Sequence, residues 1–327
     1  MRFVVRRLGF FLVTLWAAVT TNFLIPRLMP GNPALAMMSR YRGHLNPSAL
    51  HAIEIAFGVN SKQSVLSAYF SYLGNILRGR FGVSLTFFPD QVSHDVLQAL
   101  PWTLALVGLT TILAFILGTL VGLVAAWRRG GFLDSLLPPI FVITSAFPYF
   151  WLALISIWLF AIKLGWLPQS GGYNITDTVS WSWTFIGDAL LHSILPAMTI
   201  LVTSIGGWIL TMRNNMISVL AEDYVRMARA KGLKPWRVMW GYAGRNAILP
   251  NLTGFAMSLG FVVSGAVLVE FVFNYPGVGW MFLQAVENQD YALMQALFLM
   301  IVVAVLLAIL VADAATAILD PRTRDVR

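Results

Sequence analysis

The chain has 327 residues, 58% of them apolar and only 11% charged, with a mean hydropathy of +0.75. A water-soluble protein needs more charge than this to cover its surface. The formal net charge is +8, from 22 Lys and Arg against 14 Asp and Glu, and the absence of cysteine excludes disulfides and thiolate metal sites.

The first apolar run, Leu8–Met29, follows Arg2, Arg6 and Arg7. Leu8–Leu24 is long for the core of a secretory signal, and no small-x-small site follows before Pro26, so it reads as a retained helix. A long segment, Pro30–Leu100, comes next. Pro47–Phe57 reads as a short surface helix. Ser64–Gly79 reads as an amphipathic helix at the membrane interface, with Val65, Tyr69, Tyr72 and Ile76 on one face. That face either packs against the outer mouth of the protein or binds a soluble partner.

Five more runs approach or exceed the roughly 20 mainly apolar residues that cross a bilayer as helix. They are Pro101–Ala126, Leu136–Ile162, Ile194–Met212, Ile248–Val272 and Tyr291–Ile318. Helix is required because backbone groups in lipid must pair within the segment, and the short alternating strands of a barrel are absent from the sequence. Arg128 and Arg129 follow the second run, Arg213 through Arg245 fill the loop after the fourth, and Arg322, Arg324 and Arg327 follow the sixth. The positive-inside rule places these, and both termini, in the cytoplasm. Gly165–Phe185 and Glu287–Asp290 are acidic and then face out. The expected division is 1–29, N-terminal segment and first span; 30–100, extracytoplasmic region; 101–318, membrane core with a cytoplasmic loop at 213–247; and 319–327, cytoplasmic tail. The expected fold class is an all-α polytopic membrane protein with six transmembrane helices. The positive excess fits loops facing anionic lipid, not nucleic acid.

The densest charge cluster is AEDYVRMARAKGLKPWRVM, Ala221–Met239. Ala221, Val225, Ala228 and Gly232 fall on one narrow face of small residues, beside Glu222, Arg226 and Arg229. Glu222 and Arg226 are spaced for an i,i+4 ion pair. Gly232 can stop the helix with positive φ, and Pro235 can start the next. The pattern predicts helix, tight corner, helix. The small face either docks in a cleft or belongs to a solvated interfacial helix.

At this point a family resemblance is visible. RRLGFFLVTLWAAVTTNFLIPRLMPGNPA (Arg6–Ala34), GRFGVSLTFFPDQV (Gly79–Val92), WLPQSGG (Trp166–Gly172), HSILPAMTI (His192–Ile200), RNNMISVLAEDYVRMARAKGL (Arg213–Leu233), RNAILP (Arg245–Pro250), GAVLVEFVFNYPGVG (Gly265–Gly279) and LDPR (Leu319–Arg322) occur in order along nearly the whole chain. Together they resemble the first of the two permease subunits of dipeptide/oligopeptide ABC importers. The resemblance implies a type I importer permease in a bacterial or archaeal cytoplasmic (inner) membrane. The implied partners are a second, related permease subunit, two ATPase subunits or domains, an extracytoplasmic binding protein and membrane lipid. It implies a coupling element at Glu222–Leu233, carried by Glu222, Asp223, Tyr224, Arg226, Ala228, Ala230, Lys231, Gly232 and Leu233.

The sequence departs from the wider importer motif. Arg226, Met227 and Ala228 stand where Glu-Ala-Ala would be; Gly244 and Arg245 stand where Leu-Pro would be, and Leu249-Pro250 comes five residues late. Arg245 leaves the geometry of the second cytoplasmic helix open. Trp102 follows Pro101 where the family commonly has a small polar residue.

No GxxxxGK[ST] phosphate loop is present, so ATP and Mg are expected in the partner ATPase subunits, and this chain is expected to be non-catalytic with no cofactor of its own. His44, His51, His94 and His192 share no ligand-like spacing. Glu270 and Asp313 lie near opposite ends of the fifth and sixth spans, where hydration is expected. Glu270, Pro276, Gly277 and Gly279 are candidates for gating or lining the outer mouth, with FNYPGVGW (Phe273–Trp280) forming a turn or re-entrant elbow. Trp151, Trp158, Trp166, Trp181 and Trp183 read as an interfacial belt, with sugar stacking as the other use. The expected cargo is peptide, with oligosaccharide as the alternative and nickel or other compounds beyond that. A non-transport scaffold and a channel are the readings of another class.

Overall fold

The computed structural model describes residues 2–28 and 64–319, so the Pro47–Phe57 helix, His44, His51 and all of the LDPR motif after Leu319 lie outside the described residues. The described residues are helical apart from turns and one isolated antiparallel bridge, Val83 to Gln91. In chain order the helices are α1 (Arg2–Leu28), α2 (Val65–Leu77), α3 (Val92–Trp127), α4 (Phe132–Ala146), α5 (Tyr149–Lys163), α6 (Trp183–Leu220), α7 (Asp223–Ala230), α8 (Leu249–Val262), α9 (Val267–Val272), α10 (Val278–Glu287) and α11 (Tyr291–Leu319). Between α7 and α8 run three short helical pieces, Pro235–Arg237, a π-helical Val238–Gly244, and Arg245–Ala247.

Among the described residues three helical stretches are long and apolar enough to cross a membrane, Val92–Trp127, Trp183–Leu220 and Tyr291–Val311. They contain the whole of the second and fourth expected spans and most of the sixth. The helix around the second expected span begins earlier than that span: α3 starts at Val92 and carries Pro101 inside it, with a π-helical stretch, Leu104–Gly108, three residues on. A proline lacks the N–H for the usual i−4 bond, and a widened turn absorbs the misfit.

The third and fifth expected spans are each broken. Pro148 separates α4 from α5, and Pro148 with extended ψ starts the second piece. Gly265, at φ +71°, ends the run after α8 before α9 begins. The 14 residues of α8 extend about 21 Å, less than the hydrocarbon thickness. Hydropathy did not register these breaks because the residues around them are still apolar.

The chain forms two compact units. One holds α1, α2, α3 up to Thr103, α10 and most of α11. Its core is Val92, Ala99, Val278, Met281, Ala285, Leu293, Met294, Ala296 and Leu297. Here α2 turns Tyr69 and Tyr72 onto Phe23 of α1, at ring separations of 5.1 and 5.4 Å, while Tyr72 accepts a bond from Asn22. The predicted face is thus used within the chain, except that Val65 at its end is exposed.

The second unit holds the rest of α3 and α4 through α8. Its centre is the pairing of α3 with α6. Buried positions Thr199, Gly206, Ile209, Met212 and Met216 follow helical spacing along α6. Gly118 and Gly122 allow the approach: a Cβ on Gly118 would meet Trp208 Cβ at 2.5 Å, and one on Gly122 would collide with the Ile209 carbonyl. Asn251 of α8 is fully buried and donates to Thr119 Oγ1 of α3 at 3.2 Å.

Candidate functional site

The charged segment folds as helix, corner, helix. Glu222 is the extended N-cap residue of α7, and Asp223 sits in the first turn, where its charge favours the positive end of the helix dipole. The helix stops in a Schellman pattern. Gly232, at φ +71°, donates its N–H to the Arg229 carbonyl at 2.9 Å, and Leu233 donates to the Ala228 carbonyl at 3.3 Å. Pro235 then occupies the first position of the next helical piece.

Two expectations for this segment are corrected. Arg226 pairs with Asp223 at 3.6 Å, not with Glu222, because Glu222 is the cap and its extended backbone takes its side chain out of helical register. Both paired side chains are exposed, so the pair contributes little to stability. The small face also divides. Val225 and Ala228 are 0% and 3% exposed, packed in a core with Leu123, Ala126, Met212, Met216, Val238, Met239, Ala243 and Ala247, while Ala221 and Gly232 are exposed. The buried part of that face is therefore occupied by this chain itself.

What α7 leaves to solvent is the opposite face, Asp223, Arg226, Met227 and Ala230, flanked by the exposed Tyr224 and the cap residue Lys231. Trp236 next to it is also exposed and lies 5.1 Å from Trp240, ring to ring. Arg245 is exposed and does not interrupt its helical piece. Its neighbour Gly244 is the constrained position, since a Cβ there would stand 2.8 Å from the Met239 carbonyl. Sequence reasoning missed Trp127, Asn246 and Asp134. Asp134 Oδ1 accepts from Arg213 Nε at 2.6 Å and its other oxygen from the Gly130 N–H at 2.9 Å. The Arg213 hydrogen bond, then the Gly130 amide, holds the Asp134 carboxyl below its ordinary range.

At the candidate elbow, Glu270 is fully buried, which corrects the expectation of a hydrated acid. After α9 the helix stops at Asn274, φ +49°, with the Tyr275 N–H bonding to the Glu270 carbonyl at 2.7 Å and Phe273 and Tyr275 each 2% exposed. The Phe273 carbonyl accepts from the Gly171 N–H at 2.8 Å, and the Tyr275 hydroxyl bonds Ser193 Oγ at 3.2 Å. Gly277 is the extended N-cap residue of α10, Gly279 is buried in its first turn, and Pro276 is half-buried. The Val278 N–H donates to Thr103 Oγ1 at 2.7 Å. The side chain of Asp313 lies outside the described residues.

The 79–92 signature is held by a residue not singled out in the sequence. Asp290, 1% exposed, accepts from Ser84 Oγ and the Leu85 N–H at 2.6 Å each and from the Thr86 N–H at 2.8 Å, while its second oxygen takes the Leu293 N–H at 3.1 Å. An aspartate directly before a helix start was the available signal. His192 hydrogen-bonds the Asp188 carbonyl one turn back, and no group of three or more candidate metal ligands occurs among the described residues.

The comparisons with known proteins match residues 118–325 to the family described as binding-protein-dependent transport system inner membrane component. The chain belongs to this family. It is similar along its length to the di/tripeptide transport system permease protein DppB of Pseudomonas aeruginosa, 34% identical over 99% of both chains. The oligopeptide transport system permease protein AppB of Bacillus subtilis is 32% identical over 98% of both. A probable peptide ABC transporter permease of Sinorhizobium fredii is 35% identical over 92% of both. This transport component is accordingly a multi-pass protein of the inner membrane.

Proposed function

We propose that this chain is one permease subunit of an ATP-driven, binding-protein-dependent importer of peptides. Peptide is the cargo named for the similar proteins at 30–35% identity. In this reading the helices form six membrane passages with both termini in the cytoplasm, and a second permease subunit supplies the other half of the pathway. Two ATPase subunits bind ATP and Mg, and an extracytoplasmic binding protein delivers the ligand.

The observation that carries the coupling role is the two-sidedness of α7. Its apolar side is buried in its own chain through Val225 and Ala228, and its polar side, with Met227 58% exposed among charges, has no cover. An eight-residue helix held this way presents a shaped surface that a groove in an ATPase subunit can grip.

Co-expression with the neighbouring transporter genes and purification through this chain tests the reading. Both ATPase and second permease should be recovered, and labelled trialanine should enter proteoliposomes only with ATP and binding protein. Met227→Glu, which alters no buried contact, should release the ATPase subunit. Uptake by this chain alone, with no ATPase present, would overturn the proposal.

A further inference from the structure

Apolar packing alone does not fix the position of α7. Only Val225 and Ala228 of its eight residues are buried, and hydrophobic contact is non-directional. A short helix seated on two small side chains can roll or slide on its support. Two directional contacts, one at each end, prevent this.

At the first turn, Tyr224 accepts a 2.7 Å hydrogen bond on its hydroxyl from Asn246 Nδ2. Asn246 stands just before α8. At the last turn, the Arg229 guanidinium lies 5.3 Å from the ring centroid of Trp127, the final residue of α3, within the range of a cation–π contact. Tyr224 and Arg229 are five residues apart, so the two ties act about 7.5 Å apart along the helix axis. Ala221 and Glu222 join α7 covalently to α6. The ends of α3, α6 and α8 are therefore all connected to this one short helix. Tyr224, Arg229 and Asn246 are exposed, and water could satisfy each of them without the contact. Their pairing is thus not demanded by burial.

We propose that Trp127 and Asn246 are positioning residues for energy coupling. They lock α7 to the ends of α3 and α8, so that a displacement of α7 passes to both helices without slip. This rests on the reading that a partner ATPase moves α7.

The test is a distance measurement between spin labels at Arg129→Cys, just beyond α3, and Lys234→Cys, just beyond the α7 corner. The chain has no other cysteine to compete. With the ties intact the distance distribution should be narrow, and its mean should be the same in the ATP-free and ADP–vanadate-trapped assembled transporter. In Trp127→Leu with Asn246→Leu it should broaden and shift between the two states, while Trp127→Phe with Asn246→Gln should keep it narrow. An unchanged narrow distribution in the double Leu variant would overturn the proposal, as would a state-dependent distance in the native background. Loss of the ATPase subunit from the double Leu variant would also overturn it, since the two residues would then be partner contacts. The broadening is also read on the chain alone in detergent. Broadening there with no ATPase recovered from the native chain would remove the coupling role, and with it the docking reading, while leaving the ties in place.

Discussion

Arg213 Nε donates to Asp134 Oδ1 at 2.6 Å, which ties α6 to the first turn of α4. The two side chains are 22% and 9% exposed, so the pair lies between a screened surface bridge and a fully buried one. Arg213→Met should therefore destabilise the protein by about 1–2 kcal/mol at neutral pH. Thermal unfolding in detergent is the measurement, and a midpoint equal to the native one would refute the assignment.

The same pair predicts a pH dependence. The Asp134 carboxyl titrates below its ordinary value of 3.8, because Arg213 and the Gly130 amide favour the charged form. A depressed folded-state pKa gives stability that is present above the unfolded value and is lost as pH falls through the folded one. The stability gap between the native protein and Asp134→Asn should be constant from neutral pH down to about 5 and close below about 4. A gap that persists undiminished in acid would show that the carboxylate charge is irrelevant.

Gly232 at φ +71° has open space around its Cβ position, with nothing within 4 Å. Any cost of substitution is therefore backbone strain and not collision. Gly232→Val should cost about 1–2 kcal/mol locally or unwind the Schellman stop, and Gly232→Asn should be milder because Asn tolerates the left-handed region. Under the coupling proposal, peptide uptake per ATP hydrolysed should fall for Val and largely survive for Asn. Equal coupling in both variants would show that the corner is not required. Ala228→Trp gives no comparable information, since Ala228 is 3% exposed and a Trp there disrupts the chain's own core.

Much of this was legible in the sequence because it rests on local rules. Gly232 and Pro235 marked a corner through backbone chemistry alone, and the three long helices lie where apolar runs placed them. The breaks at Pro148 and Gly265 were hidden inside apolar runs, since hydropathy counts side chains and does not see where a backbone bends. The partition of the α7 face was hidden for another reason. Small residues at helical spacing show that something packs closely, but not whether the neighbour is this chain or another. Glu270 shows the same limit: its position in the sequence implied hydration, and the folded chain buries it completely. Asp290 was overlooked because its partners, Ser84 to Thr86, are about two hundred residues away.

Asp290 accepts four hydrogen bonds in the structure, three of them from the 84–86 backbone and hydroxyl. Asp290→Ala leaves buried donors without an acceptor, at about 1–3 kcal/mol for each. The 79–92 segment should then become the first site of limited proteolysis, and the melting midpoint should fall by more than for Arg213→Met. Asp290→Asn keeps one oxygen and should be intermediate. Native-like protease resistance in Asp290→Ala would show that the segment is held by other contacts.

The orientation is open to direct test because the chain has no native cysteine. Ser170 and Ala230 are both exposed, one in the acidic loop after α5 and the other on the uncovered face of α7. If the arginine-rich loops face the cytoplasm, a membrane-impermeant maleimide should label Ser170→Cys in intact spheroplasts and leave Ala230→Cys unreacted. After permeabilisation Ala230→Cys faces a second condition. With the ATPase subunit co-expressed it should react slowly, because the proposed groove covers that face; without the ATPase it should react fast. Arg129→Cys, on the same side but off the helix, should react after permeabilisation in both cases. Labelling of Ala230→Cys in intact spheroplasts would reverse the topology. Fast labelling with the ATPase bound would keep the topology and place the docking surface elsewhere.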